Sequence, residues 1–146
     1  MVVRTVAGVA SAEDAEDLRH WLRRLVGGPP VDECVLLGCA QHGAEWPTWF
    51  YVEADAAAGV ARRRCLACAA VVGVLDSAAR WTYPPMLACR GCGQSIMELA
   101  VGLSTSDGGC VTWLVLGARC VECGRLAGLT DLVVDRLPLS QVLAGL

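Results

Sequence analysis

The chain has 146 residues, a net charge of −3, 55% hydrophobic residues and a mean hydropathy of +0.48. No apolar run approaches the roughly 20 residues of a membrane-spanning helix. All twelve basic residues are Arg, which excludes lysine-based catalysis and a Walker-type phosphate loop. The length gives room for one ordinary domain or for two or three miniature ones.

The opening stretch, Met1-Val2-Val3-Arg4-Thr5-Val6, has no basic segment leading into an apolar one, so no export signal is read and a cytoplasmic protein is expected. In such a reducing compartment nine cysteines point to metal ligation rather than disulfides. The apolar surplus exceeds what small units can bury, so a surface covered by a protein partner or a second copy is expected.

Val2 to Val9 reads as a strand rich in β-branched residues. Ser11 is the expected cap of a helix that carries Glu13, Glu16 and Asp17 early and Arg23 and Arg24 late, in line with the helix dipole. Ala15, Leu18, Trp21, Leu22 and Leu25 form its apolar face, and Gly27-Gly28-Pro29-Pro30 ends it. His20 falls on the polar side, as a solvated residue. This β-α unit of about 30 residues is too small to stand alone and is expected to pack on the neighbouring cysteine-bearing segment.

Beyond it the chain carries four ligand-type pairs, each with two intervening residues: Cys39-Ala-Gln-His42, Cys65-Leu-Ala-Cys68, Cys89-Arg-Gly-Cys92 and Cys120-Val-Glu-Cys123. That spacing lets a tight turn aim two side chains at one ion while backbone amides face the sulfurs. Four pairs make two complete sets: Cys39, His42, Cys65 and Cys68, then Cys89, Cys92, Cys120 and Cys123. Such tetrahedral sulfur and nitrogen sets suit structural zinc, two ions per chain. Cys34, five residues ahead of Cys39, is the alternative to His42. His42 is preferred because it keeps the two-residue spacing. Cys110 reads as a half-buried strand residue.

Strands are expected at Val31 to Leu37, Trp46 to Val52, Val60 to Arg64 and Ala69 to Leu75, and again at Gln94 to Leu103, Cys110 to Ala118 and Arg125 to Val134. Asp76 to Pro85 reads as a linker. The tail from Leu137 to Leu143 is either a closing helix or an apolar segment that docks on another chain. Cys39 and Cys89 are 50 residues apart, as are His42 and Cys92, while Cys65 and Cys68 lie 55 residues before Cys120 and Cys123. Leu37 with Leu87, Gly73 with Gly128 and Asp76 with Asp131 keep the same offsets, the mark of one unit used twice.

Strand, knuckle, strand, knuckle, strand resembles the zinc ribbon, most closely in Cys89-Arg-Gly-Cys92-Gly93 and Cys120-Val-Glu-Cys123-Gly124. The glycine after each pair lets the backbone turn back toward the metal. The first set departs from that pattern, with His42 for a Cys and Ala69 after Cys68. The resemblance spans roughly residues 31–135. It implies a small metal-bound α+β protein, mostly β: a β-α unit over 1–30, one ribbon of antiparallel strands over 31–80, and a second ribbon with a tail over 81–146. It also implies that metal clamps take the place of a large apolar interior.

Zinc ribbons serve many processes, so function is read from the residues. A non-enzymatic module for protein–protein interaction fits the acidic balance and the apolar surplus. The alternative is a nucleic-acid-binding, transcription-associated protein using Arg62, Arg63 and Arg64 with Trp46, Trp49 or Tyr51. Against it stands the lack of a broad basic stripe. A rubredoxin-like iron site fits less well because the first set holds a His. A zinc deaminase needs His-x-Glu, and His42-Gly-Ala-Glu45 has one residue too many.

Overall fold

The structure is a computed structural model that describes residues 3–25, 27–41 and 48–146. Two short strands, β1 (Val3–Val6) and β2 (Val9–Ala12), form an antiparallel hairpin. Ala7 and Gly8 make its two-residue turn with φ of 51° and 79°, the mirror-image turn that matches strand twist. The single strand expected over 2–9 is therefore split in two. Because the second arm takes in Ser11 and Ala12, the helix cap moves downstream. The side chain of Asp14, not Ser11, caps α1 (Ala15–Arg23) by accepting from Asp17 N at 2.9 Å.

The rest of the strands build one seven-stranded sheet. These are β3 (Glu33–Leu36), β4 (Phe50–Asp55), β5 (Val60–Cys65), β6 (Val71–Gly73), β7 (Met97–Thr105), β8 (Cys110–Cys120) and β9 (Leu126–Pro138). Along the sheet the order is β6-β5-β4-β7-β8-β9, with β3 also pairing β7. Two antiparallel meanders, β4-β5-β6 and β7-β8-β9, thus meet at their first strands. The junction is the pair Phe50↔Met97. Phe50 also faces Cys65 across β5, and Met97 faces Cys120 across β8. Cys65, Phe50, Met97 and Cys120 therefore form one rung across four strands. Three strand spacings of roughly 4.8 Å put the two cysteines about 14 Å apart along it.

The sheet curls so that the turn between β4 and β5 reaches β9, where Thr130 Oγ1 donates to Asp55 O at 3.4 Å. Inside the curl lies the main core, with Phe50, Val52, Leu99, Val101, Leu103, Leu114, Leu116 and the sulfurs of Cys65, Cys89 and Cys120. The short helix α2 (Leu139–Ala144) closes it with Val142, which is fully buried. The tail is thus a closing helix seated on the chain's own interior. The linker over 76–85 contains a 3-10 turn at Ser77–Arg80.

The opposite face of β7 and β8 is covered as well. Leu18 and Leu22 of α1 pack there with Cys34, Ala100, Trp113 and Val115. Gly117 makes room, since a Cβ there would lie 2.7 Å from Leu22 Cδ2. Coverage on both faces explains the unbroken apolar runs of these two strands. The hairpin and helix are tied down by Arg119, whose guanidinium donates to Ala12 O, Glu13 O and Glu98 Oε2. Ala12 N also donates to Gly124 O at 2.8 Å. The N-terminal unit thus lies against the Cys120 turn as well as against β3 and β7.

Phe50 is 1% exposed and joins the two meanders. Phe50→Ala is expected to lower stability by about 3–5 kcal/mol while unfolding stays a single transition. Urea denaturation followed by circular dichroism checks both statements.

Candidate metal centres

Three described turns place the cysteine pairs, and all three have the same backbone. In the Cys89 turn, Cys89 N donates to Gln94 O at 2.7 Å and Gly93 N donates to Cys89 O at 2.8 Å. In the Cys120 turn, Cys120 N donates to Arg125 O at 2.9 Å and Gly124 N to Cys120 O at 2.8 Å. In the Cys65 turn, Cys65 N donates to Ala70 O and Ala69 N to Cys65 O, both at 2.9 Å. The residue after the second cysteine is left-handed each time: φ is 77° at Gly93, 78° at Gly124 and 62° at Ala69. Ala69 therefore adopts the conformation that the other two turns give to glycine. Gly124 has a further reason to lack a side chain, because a Cβ would strike Ala12 O.

These turns leave backbone N–H groups facing the leading sulfur. Gly91 N donates to Cys89 Sγ at 3.3 Å. Burial works to raise the Cys89 thiol. The N–H groups of Cys92 and Gly91 and the sulfurs of Cys123 and Cys120 outweigh it and bring the thiol down to about 7. Cys65 behaves alike: burial opposes, but the N–H groups of Cys68 and Ala67 and the sulfurs of Cys68 and Cys39 bring it to about 7. Hydrogen bonds to the charged form favour it, so the Cys65 and Cys89 turns are built to hold a thiolate, the form that binds metal. At Cys120 burial and the sulfur of Cys92 outweigh the N–H groups of Cys123 and Glu122 and push the thiol up.

The sulfurs converge in two groups. Cys89, Cys92, Cys120 and Cys123 lie within 4.8 Å of one another, and so do Cys39, Cys65 and Cys68. The separations are 3.6 Å for Cys89–Cys123, 3.5 Å for Cys92–Cys120 and 3.6 Å for Cys39–Cys68. A disulfide needs about 2.05 Å. A tetrahedron of four sulfurs, each about 2.3 Å from a central zinc ion, has edges of about 3.8 Å. Both clusters could therefore hold a metal ion. In each, one end is buried and another exposed: Cys65, Cys89 and Cys120 are buried, whereas Cys68, Cys92 and Cys123 are exposed.

His42, the expected fourth ligand of the first set, lies outside the described residues, as do Glu45 and Trp46. Cys34, its alternative, is 3% exposed and packs in the other core, against α1. It is not grouped with Cys39, Cys65 and Cys68, and burial pushes its thiol up, toward the neutral form. Cys110 begins β8, opposite Pro138.

The Arg62-Arg63-Arg64 run does not present three free charges. Arg62 makes a two-pronged ion pair with Glu53, at 2.9 and 3.1 Å, and its guanidinium sits 4.3 Å from the centre of the Trp81 ring. Arg63 points inward and is 6% exposed. Arg64 alone is exposed. Burial of Arg63 was missed in the sequence because a run of three charges resembles a solvated edge. The signal was its position two residues before Cys65, on the same face of a strand.

Comparison with protein-family models, with curated proteins and with solved structures finds no match to this chain. Among the described residues no helix is long and apolar enough to cross a membrane.

Ala69 holds φ of 62° at a cost of roughly 1–2 kcal/mol for a residue with a Cβ. Replacing it by glycine relieves that strain and adds about 0.4–1 kcal/mol of unfolded-state entropy. Ala69→Gly is therefore expected to raise stability by about 0.5–1 kcal/mol and to leave metal content unchanged, as read by thermal melting and elemental analysis.

Proposed function

We propose that the chain is a non-enzymatic binding module in which two structural zinc ions fix a β scaffold for contact with another protein. The observation that carries this is the convergence of four cysteine sulfurs in one cluster and three in the other at near-tetrahedral separations. Soft thiolate ligands select zinc over magnesium or calcium. Four sulfurs close the second centre and His42 is assigned as the fourth ligand of the first, so neither keeps a position for a reacting water. Each meander follows a cysteine pair and carries its second pair between its second and third strands, in support of a tandem zinc-ribbon reading. Nine free cysteines fit a reducing compartment, the cytoplasm.

Metal supplies folding free energy in such sites. Purified protein is expected to contain about two zinc ions per chain, and Cys92→Ser about one, with a lower melting temperature. Elemental mass spectrometry together with melting in the presence of a chelator tests this. Wild-type protein free of metal and melting at the same temperature with or without zinc refutes it.

The partner surface is assigned to the β6 edge and the first knuckle. Trp49, Leu66, Val71 and Val72 are 38%, 39%, 49% and 37% exposed there, and Leu66 N donates to Trp49 O. Short apolar edge strands invite pairing or packing by another chain. The nucleic-acid alternative retains Arg64 but loses Arg62 and Arg63 to contacts within the chain. Leu66→Asp with Val71→Asp is expected to abolish a protein complex isolated from the native host while zinc content and melting stay unchanged. Binding to mixed DNA or RNA that weakens with salt and survives both changes supports the alternative.

A further inference from the structure

We propose that Arg63 is a positioning residue of the first metal centre, its buried guanidinium donating N–H···S hydrogen bonds to the thiolates of Cys39 and Cys65. This rests on the metal reading above and assigns how that centre balances its charge. Arg63 and Cys65 stand two residues apart on β5, on one face. The guanidinium reaches the first cysteine turn, where Nη2 donates to Gly38 O at 3.2 Å, next to Cys39, and to Leu146 O at 2.8 Å. Its Cζ lies 5.3 Å from the ring centre of Phe50, the cross-strand partner of Cys65. Nη1 and Nε are buried and have no hydrogen-bond partner, sulfur included, among the described residues, so the proposed N–H···S bonds belong to the metal-loaded centre. Buried donors of this kind are rare and costly.

A divalent ion held by three thiolates carries a net charge of −1, and thiolate sulfur accepts hydrogen bonds. The three unpartnered N–H bonds on Nε and Nη1 and the positive charge of Arg63 answer both needs. The second centre is provided for differently. Val52 faces Arg63 across β4 and β5, and the matching place opposite Leu99 is Ala118. Cationic side chains near the second centre come instead from Arg90, inside its turn, and from Arg125, whose Cδ would lie 3.4 Å from a Cβ on Gly91. The described parts of the first centre's turns, Cys39-Ala40-Gln41 and Cys65-Leu66-Ala67-Cys68, contain no basic residue. Arg63 supplies that charge from beneath.

The test uses the full chain loaded with cadmium, whose NMR signal is distinct for each centre, and follows metal transfer to a chelator. Outer partners of metal ligands are worth 10–100-fold in metal affinity. Arg63→Met is expected to release metal from the first centre at least tenfold faster, with the second unchanged, and Arg63→Lys to recover part of the loss. Equal acceleration at both centres, or none, overturns the assignment, the first outcome marking a purely structural role. Should Arg63→Met fail to fold, the wild-type protein decides: a coupling between cadmium and the Arg63 Nε–H or Nη–H protons supports the bond, and its absence overturns it. Wild-type protein that takes up no metal overturns the metal reading and this assignment together. Two bound ions with no effect of Arg63 overturn this assignment alone.

Discussion

The described cysteine turns are organised around a buried leading sulfur that needs hydrogen-bond donors where water is scarce. Each described cysteine turn meets that need with the same backbone. The chain leaves a strand or loop at the leading cysteine, points two N–H groups at its sulfur, and returns through one left-handed residue. The turn closes with hydrogen bonds between the leading cysteine and the residues four and five ahead. The thiols of Cys65 and Cys89, surrounded in this way, lose their protons more readily even though burial opposes it. Three separate segments thus share one backbone conformation, and the left-handed residue that closes it is glycine at two of them.

Those turns also decide how the sheet is put together. Cys65 ends β5 and Cys120 ends β8, and each is paired to the strand that starts its meander, at Phe50 and Met97. Because Phe50 and Met97 pair with each other, the two centres sit at opposite ends of one rung. They are not beads on a string. Four hydrogen-bonded strands join the two cysteines, and their inner face packs in one core.

The cysteine turns, the apolar face of the helix and most strands were legible in the sequence, because each leaves a local pattern. Spacing marks a turn, and period marks a face. The single sheet was not legible. Nothing local in Phe50 or Met97 announces that they pair, since the contact joins segments 47 residues apart. The cap at Asp14 was missed because the turn at Ala7-Gly8 lacks the usual Asn or Asp before glycine, so the second arm of the hairpin was read as helix entry. Ala69 is the converse case. Sequence alone marked it as a departure from the glycine pattern, yet the turn imposes the left-handed conformation on it regardless, because two hydrogen bonds and a ligand position depend on that geometry. The core around Arg63 was hidden by its charge.

The interior bears on what metal contributes. The sequence implies clamps that replace an apolar core, whereas the structure has two apolar cores, one on each face of β7 and β8, covered by α1 and by the curled sheet. Burial of Leu99, Val101, Leu103, Leu114 and Leu116 is worth on the order of 1.5–3 kcal/mol per side chain before chain entropy is charged against it. None of these residues touches solvent appreciably, and their burial does not require an ion. The cysteine turns are different. Their outer sulfurs, Cys68, Cys92 and Cys123, are exposed. Without a cation, the paired sulfurs about 3.6 Å apart are held by a shared proton, with the thiols of Cys123 and Cys68 pushed up by burial and by their neighbouring sulfurs. The clusters that could hold metal thus lie where the apolar interior stops, at the strand ends.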